Sequence, residues 1–259
     1  MKILVTGAGG YLGQGLVLPF AGRHSLRLLD LQPFASPHEV VVGDVADLDT
    51  ARRAVAGMDA ILVAHMASRQ GGAYDTPPAA FDANVKGTAN LFFAGVEKGI
   101  RRFCVISSTG VLAGYTGGQQ AFWKRDAFPK GNDLYSLTKA CQEVIAEQFQ
   151  RLHKLAVSVL RVGWVMDADT RIDKYGQHRP QYCVGYTDRR DIGEVARLAL
   201  ERVEGSYEVF YVEGTPESGE HCDIAYTRQR LGWEPKFDFK ELASRAAIPN
   251  SHPANARMP

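Results

Sequence analysis

Lys2-Ile3-Leu4-Val5-Thr6-Gly7-Ala8-Gly9-Gly10-Tyr11-Leu12-Gly13 decides the reading of the fold. An apolar, β-branched run breaks into a glycine cluster, and apolar residues then recur at Leu12, Leu16, Val17 and Phe20. That order predicts strand, tight turn, helix. Working outward, the same alternation continues, with strands expected over 25–29, 40–42, 60–64, 102–107 and 156–161 and helices over 48–56, 79–98 and 133–153. Strands alternating with helices imply right-handed crossovers, hence an α/β chain of Rossmann type with a doubly wound, mostly parallel sheet covered on both faces.

Beyond Arg161 the rhythm weakens. Residues 167–188 are rich in charge with few aliphatics, which predicts a loop or lid; helical pattern returns over 192–203, a strand over 207–212 and a short helix over 223–232. The expected organisation is a main domain over 1–161, a small C-terminal substrate-binding region over 162–248 interleaved with it, and a flexible tail over 249–259. No repeat of fixed period and no low-complexity segment is present.

Composition excludes several classes. The chain has 259 residues, 45% hydrophobic and 23% charged, as expected of an ordinary folded protein. Thirty Lys and Arg against 29 Asp and Glu leave a net charge of +1, so no summed field exists to hold a nucleic acid or an acidic membrane face. No apolar run approaches the roughly 20 residues of a bilayer span. The N-terminus lacks the pattern of a secretory signal, and Cys104, Cys141, Cys183 and Cys222 are scattered without metal-ligand or disulfide spacing. A cytoplasmic location and no metal are the resulting expectations.

The glycine turn lies between the first strand and first helix, where backbone amides can face a pyrophosphate. Asp30 closes the second strand, with Leu31 after it, where a carboxylate accepts hydrogen bonds from ribose hydroxyls and repels a 2′-phosphate. That favours NAD over NADP. Asp44 and Val45 follow the third strand and are placed to approach the adenine, although Asp44 is equally placed to cap the helix beginning near Asp47. The fourth strand ends in Ala64-His65-Met66-Ala67-Ser68, whose small residues would pass the middle of the cofactor; His65 reads as packed rather than catalytic.

Tyr135 and Lys139 open the long helix at i, i+4, on one face. Bringing a phenol from its usual value near 10 to about 7 takes roughly 4 kcal/mol of preference for the phenolate. A neighbouring ammonium and a cationic nicotinamide can supply it, making Tyr135 a general base. Ser107-Ser108-Thr109 ends the fifth strand, on the carboxyl edge where open α/β sheets bind ligands.

Thr6 to Gly13, Asp30, Ser107 to Thr109 and Tyr135 with Lys139, in this order, resemble the extended short-chain dehydrogenase/reductase family of sugar epimerases, dehydratases and dehydrogenases. Asn84-Val85-Lys86-Gly87-Thr88-Ala89-Asn90-Leu91, Leu160-Arg161, Asp191 and Leu231-Gly232-Trp233-Glu234-Pro235 resemble further landmarks of that family. The resemblance implies that Thr109 binds the reacting oxygen, Tyr135 is the acid/base and Lys139 its activator, which also holds the nicotinamide ribose. It implies an NAD site lined by Gly7, Gly10, Tyr11, Leu12, Gly13, Asp30, Leu31, Asp44, Val45, Met66, Ala67, Asn84, Tyr135 and Lys139. Ser68, Gln70, Thr109, Trp164 and Arg171 would face the substrate, and a homodimer through helices 79–98 and 133–153 is compatible with it.

Thr109 is followed by Gly110-Val111-Leu112 rather than the Asp-Glu pair of the family's dehydratases, which speaks against water elimination. The short region beyond Arg161, with Trp164 where an Asn is usual, speaks against a large nucleotide sugar. The short chain and its Leu-Gly-Trp-x-Pro are similar to the uronate dehydrogenase branch, which oxidises a sugar acid to its lactone. Arg69, Arg171 or Arg179 could then fork the carboxylate. A branch-typical Asn-His pair is missing after Thr109, which keeps neutral sugars open. The alternatives are a nucleotide-sugar 4-epimerase or ketoreductase with retained NAD, and an NAD-binding sensor without turnover.

Overall fold

The computed structural model describes residues 1–68, 76–115 and 122–240. In chain order the elements are β1 (Lys2–Thr6), α1 (Tyr11–Leu16), β2 (Ser25–Asp30), β3 (Glu39–Val42), α2 (Leu48–Val55), β4 (Ala60–Val63), α3 (Pro77–Ala80), α4 (Gly87–Glu97), β5 (Arg102–Ser108), α5 (Leu134–His153), β6 (Ala156–Val162), β7 (Trp164–Met166), β8 (Tyr186–Asp188), α6 (Arg189–Arg202), β9 (Tyr207–Val212) and α7 (Ile224–Leu231). Seven strands form one sheet in the order β3-β2-β1-β4-β5-β6-β9, every pair parallel. The order reverses between β1 and β4, and a crevice opens there at the carboxyl ends of the strands.

Central strands read as unbroken apolar runs because both faces are covered. Along β1, Ile3 and Val5 pack with Leu16, Phe20, Ile192 and Leu198 on one side, whereas Leu4 packs with Ala51, Val55, Leu91 and Phe92 on the other. The sheet is therefore doubly wound, with α1 and α6 on one face and α2, α4 and α5 on the opposite face. Among the described residues no helix is long and apolar enough to cross a membrane.

Two expectations need correction. The helix expected over 79–98 is interrupted: Phe81–Lys86 is a π-helical turn between α3 and α4. The wider turn carries Asn84, wholly buried, whose Oδ1 accepts the Ala67 amide at 2.8 Å and whose Nδ2 donates to Thr138 Oγ1 at 2.9 Å. Such turns recur at functional sites, and composition cannot reveal one because it depends on partners distant in sequence. The segment 167–188 is a folded arm bounded by the parallel pair β7 and β8. Its carboxylates pair with arginines of the segment itself and of α6: Asp167 with Arg189 at 2.7 Å, Asp173 with Arg179 at 2.8 Å, and Asp169 and Asp188 with Arg190 at 2.6 and 2.8 Å.

The C-terminal region is built into the main sheet. β9 pairs with β6 over Val157 to Val162, and the Asp191 carboxylate accepts the backbone amides of Lys236 and Phe237, each near 3.1 Å, holding the chain after α7. Beneath the sheet edge, Arg161 and Glu143 form a bidentate pair at 3.1 and 2.8 Å, both side chains 3% exposed. Ser107 donates to the same carboxylate at 2.5 Å, and Arg161 donates to the Tyr211 hydroxyl at 3.2 Å. Burial works against the Arg161 charge, but Glu143 outweighs it and raises the guanidinium pKa.

Removing one member of such a pair strands a buried charge, at about 3–5 kcal/mol. Glu143→Ala is expected to lose that much in urea unfolding; a midpoint unchanged from wild type would show the pair to be dispensable. Burial also pushes the Asp191 carboxyl up to about 6, against the pull of the two amides. Its folded value lies above its unfolded one, so its contribution is complete below about pH 4 and lost as pH rises through about 6, on the order of 3 kcal/mol. Asp191→Asn should flatten this part of the stability curve, and parallel curves for the two proteins would contradict the assignment.

Candidate active site

The sequence-read residues gather at the carboxyl edge of the sheet. Gly7 has a positive φ of 67°, and a Cβ there would lie 2.7 Å from the His65 Cα; a Cβ on Gly13 would lie 2.2 Å from the Gly7 carbonyl oxygen. Both glycines are thus required for the turn to pack on itself. Gly10 is exposed, precedes α1 without any side-chain cap, and meets nothing nearer than that same carbonyl at 3.4 Å. An open, uncapped turn of this kind lets a phosphate group approach the backbone.

Asp30 Oδ2 accepts the Gly9 amide at 2.9 Å, which ties the end of β2 to the turn. Leu31 beside it is 59% exposed. Asp44 is exposed and accepts the Ala46 amide at 2.8 Å, while the cap of α2 is Asp47, which accepts from Asp49 and Thr50. The capping alternative for Asp44 is therefore excluded by its distance from the helix start. Val45 is buried, with its side chain packed in the core against Gly87.

After β4, Met66 and Ser68 are exposed and Ala67 is buried; Arg69 and Gln70 lie outside the described residues. His65 is buried and packed, as read from the sequence. Burial lowers its pKa to about 3, so it is neutral. With the Ala83 carbonyl at 3.0 Å from Nε2, that nitrogen donates, and Nδ1 accepts from Thr6 Oγ1 at 2.9 Å. Asn84 holds the same loop through the Ala67 amide, and its side chain is wholly buried.

The three hydroxyls at the end of β5 have different fates. Ser107 is committed to Glu143, and Ser108 Oγ accepts the Gly110 amide at 3.0 Å. Among the described residues Thr109 Oγ1 reaches one acceptor, the Val162 carbonyl at 3.4 Å, longer than a good O–H···O bond. It is the hydroxyl least committed to the protein.

α5 begins with a capping box between Asp133 and Ser136, which fixes Tyr135 in its first turn. Lys139, one turn on, is 3% exposed and donates from Nζ to the Ile106 carbonyl at 2.8 Å. Burial pushes its ammonium pKa down; Tyr135 and Glu143 oppose that, whereas Lys174 adds to it. A Cβ on Gly110 would lie 3.6 Å from Tyr135 Cε1, so the turn after Thr109 runs along the phenol ring. Thr109, Tyr135 and Lys139 therefore converge at one edge, suited to moving a proton from a substrate hydroxyl.

The arm closes over this edge. The Tyr11 hydroxyl donates to the Ile172 carbonyl, and the Arg189 guanidinium lies 4.8 Å from the Tyr11 ring centre while donating to the Tyr11 carbonyl at 3.2 Å. Burial raises the Tyr11 pKa to about 12, so the phenol stays protonated. Trp164 is half-buried in β7, and Arg171 sits at a positive φ of 58°. Arg179 is taken by Asp173. Lys174, which the sequence reading passed over as one charge among many, holds its Nζ 5.3 Å from the centre of the Tyr135 ring. No periodicity in the sequence marks it, because Trp164 and Tyr135, which it meets, are ten and 39 residues away.

One group of potential metal donors also went unread. Glu213, His221 and Cys222 bring ligand atoms within 4.8 Å of one another, all three buried. Each is engaged by the protein: His221 Nε2 with Glu213 at 2.8 Å, Cys222 Sγ with the Ser218 carbonyl at 3.3 Å.

Comparison with known proteins adds to this geometry. Residues 3–169 match the model of the NAD dependent epimerase/dehydratase family. The chain is 38% identical over 160 residues to a 3 beta-hydroxysteroid dehydrogenase/Delta 5-->4-isomerase of Mycobacterium tuberculosis, a stretch that is 57% of this chain and 41% of that protein. It is 26% identical to an NAD-dependent glucose-6-phosphate dehydrogenase of Haloferax volcanii, across 93% of this chain and 95% of that one. Among solved structures, uronate dehydrogenase from Agrobacterium tumefaciens superposes with a TM-score of 0.76 at 22% identity, over 97% of this chain and 91% of that chain, which supports the fold. The open glycine turn at the strand-order reversal, with a carboxylate at the end of β2, fits a dinucleotide. The chain belongs to the NAD dependent epimerase/dehydratase family, in the extended short-chain dehydrogenase/reductase group, and NAD is its cofactor.

Proposed function

We propose that the protein oxidises a hydroxyl of a sugar acid, with a uronate going to its lactone as the leading case. The observation that carries this reading is the buried Lys139 ammonium, held on the Ile106 carbonyl one helical turn from Tyr135 and beside the uncommitted Thr109 hydroxyl. Thr109 holds the anomeric oxygen, and the Tyr135 phenolate takes its proton. Lys139 stabilises that phenolate by its charge and reaches the ribose of the nicotinamide. Bound NAD supplies the acceptor for the hydride.

Water elimination is disfavoured because Gly110 and Val111, directly after Thr109 where a dehydratase would carry its acid and base, have no ionisable side chain, and Val111 is wholly buried in the core. In the same reading Gly7, Gly10, Tyr11, Leu12 and Gly13 frame the pyrophosphate and Asp30 faces the adenosine ribose. Met66 and Ala67 pass the middle of the cofactor, and Ser68, Trp164 and Arg171 stand on the substrate side.

NADH formation is the direct test, measured on uronates, aldose phosphates, neutral aldoses and nucleotide sugars. Uronate oxidation is the expected outcome, reduced about 10²–10⁴-fold in kcat by Tyr135→Phe with NAD affinity nearly unchanged. Interconversion of nucleotide sugars without net NADH would replace the reading with an epimerase, and near-normal turnover in the variant would remove Tyr135 from the chemistry. For the cofactor, Asp30→Asn keeps an acceptor for the Gly9 amide but drops the charge that repels a 2′-phosphate. It should shift the NAD to NADP ratio of kcat/KM toward NADP by about tenfold, the equivalent of 1.4 kcal/mol; an unchanged ratio would contradict the ribose role.

A further inference from the structure

The cations of the arm fall into two groups. Arg179, Arg189 and Arg190 each hold a carboxylate of the same arm or its flanks. Among the described residues Lys174 and Arg171 hold none, and Lys174 lies against the Tyr135 ring. Its backbone is fixed: the Lys174 amide donates to the Val165 carbonyl at 3.3 Å, and the buried Asp173 carboxylate accepts the amides of Tyr175 and Gln177 at 2.8 and 3.0 Å. The turn closes through Gly176 at a positive φ of 74°.

From that platform the ammonium faces three aromatic rings, Tyr135 and Tyr175 at 5.3 Å and Trp164 at 5.8 Å. Ring faces attract a cation and hold it in place without neutralising it. The charge therefore stays available. The indole Nε1–H of Trp164 is a second free donor, buried with no acceptor among the described residues. Leaving a buried donor unpaired is unfavourable, and a ligand oxygen would relieve it. The Tyr135 ring is common to the catalytic edge and to this cage, so both lie within reach of one hexose.

We propose that Lys174, with the Trp164 indole, forms the subsite for an anionic substituent of the substrate, so that the enzyme selects acidic sugars over neutral ones. A carboxylate on the sugar ring and a phosphate on its exocyclic carbon share this chemistry. Either one offers several acceptor oxygens to an ammonium and an N–H at once. Its charge also offsets the repulsion between Lys174 and Lys139, which face the same phenol from two elements. Lys174 is thus a specificity residue, separate from the proton transfer itself.

This inference rests on the sugar dehydrogenase reading, and a binding measurement separates the two. Glucuronate, glucose 6-phosphate and glucose are titrated by calorimetry into the NADH-loaded protein, as wild type, Lys174→Met and Lys174→Arg. Wild type should bind one of the acidic sugars at least tenfold more tightly than glucose, and which one identifies carboxylate or phosphate. Lys174→Met should lose that preference while its affinity for glucose stays within threefold, and Lys174→Arg should restore most of it. Equal affinity of wild type for acidic and neutral sugars, no binding of any of them, or an equal loss for all three in Lys174→Met would overturn the proposal. Lys174-dependent binding of an acidic sugar that yields no NADH in the turnover assay would leave the subsite standing and remove the dehydrogenase reading alone.

Discussion

The carboxylate of Glu143 has almost no contact with water, and it joins α5 to the sheet. It takes two bonds from Arg161 of β6 and one from Ser107 of β5, while Arg161 passes on to Tyr211 of β9. Three neighbouring strands and α5 thus meet at one ion pair, whose geometry admits little adjustment because an unpaired charge there is so unfavourable. Lys139 lies one turn before Glu143 and Tyr135 one turn before Lys139, all on one side of α5. The position of the phenol relative to the end of β5 is therefore tied to an ion pair two turns further along α5.

Much of this was legible from the residues. Interior parallel strands are buried on both faces and so read as continuous apolar runs, which is why β1, β4, β5 and β6 fall within a residue or two of the expected bounds. The glycine turn was legible because Gly7 and Gly13 have no alternative: a side chain at either would strike backbone. Tyr135 and Lys139 were legible because a helix converts a spacing of four into a shared face. In each case the cause is local or periodic.

What was hidden depends on pairing at a distance. The π-helical turn exists where Asn84 meets Ala67 and Thr138, neither of them near it in sequence. The charged arm looked solvated because its composition does not say which Asp meets which Arg. Val45 sits beside Asp44 in a stretch that suits adenine, yet its side chain fills the core against Gly87. Glu213, His221 and Cys222 escaped notice because Glu213 follows β9 whereas the other two precede α7, and a short excursion through Pro216–Glu220 brings them together.

The placement of β9 bears on how the chain is made. A ribosome that has released the first 161 residues has produced the glycine turn and the Thr109, Tyr135 and Lys139 motifs, but β6 is then an uncovered edge with an apolar face and Arg161 lacks the Tyr211 hydroxyl. Exposed edges of this type invite pairing with other chains. β6 gains its neighbour only when the last third of the chain supplies β9, so a cut after Arg161 severs a folding unit rather than separating two.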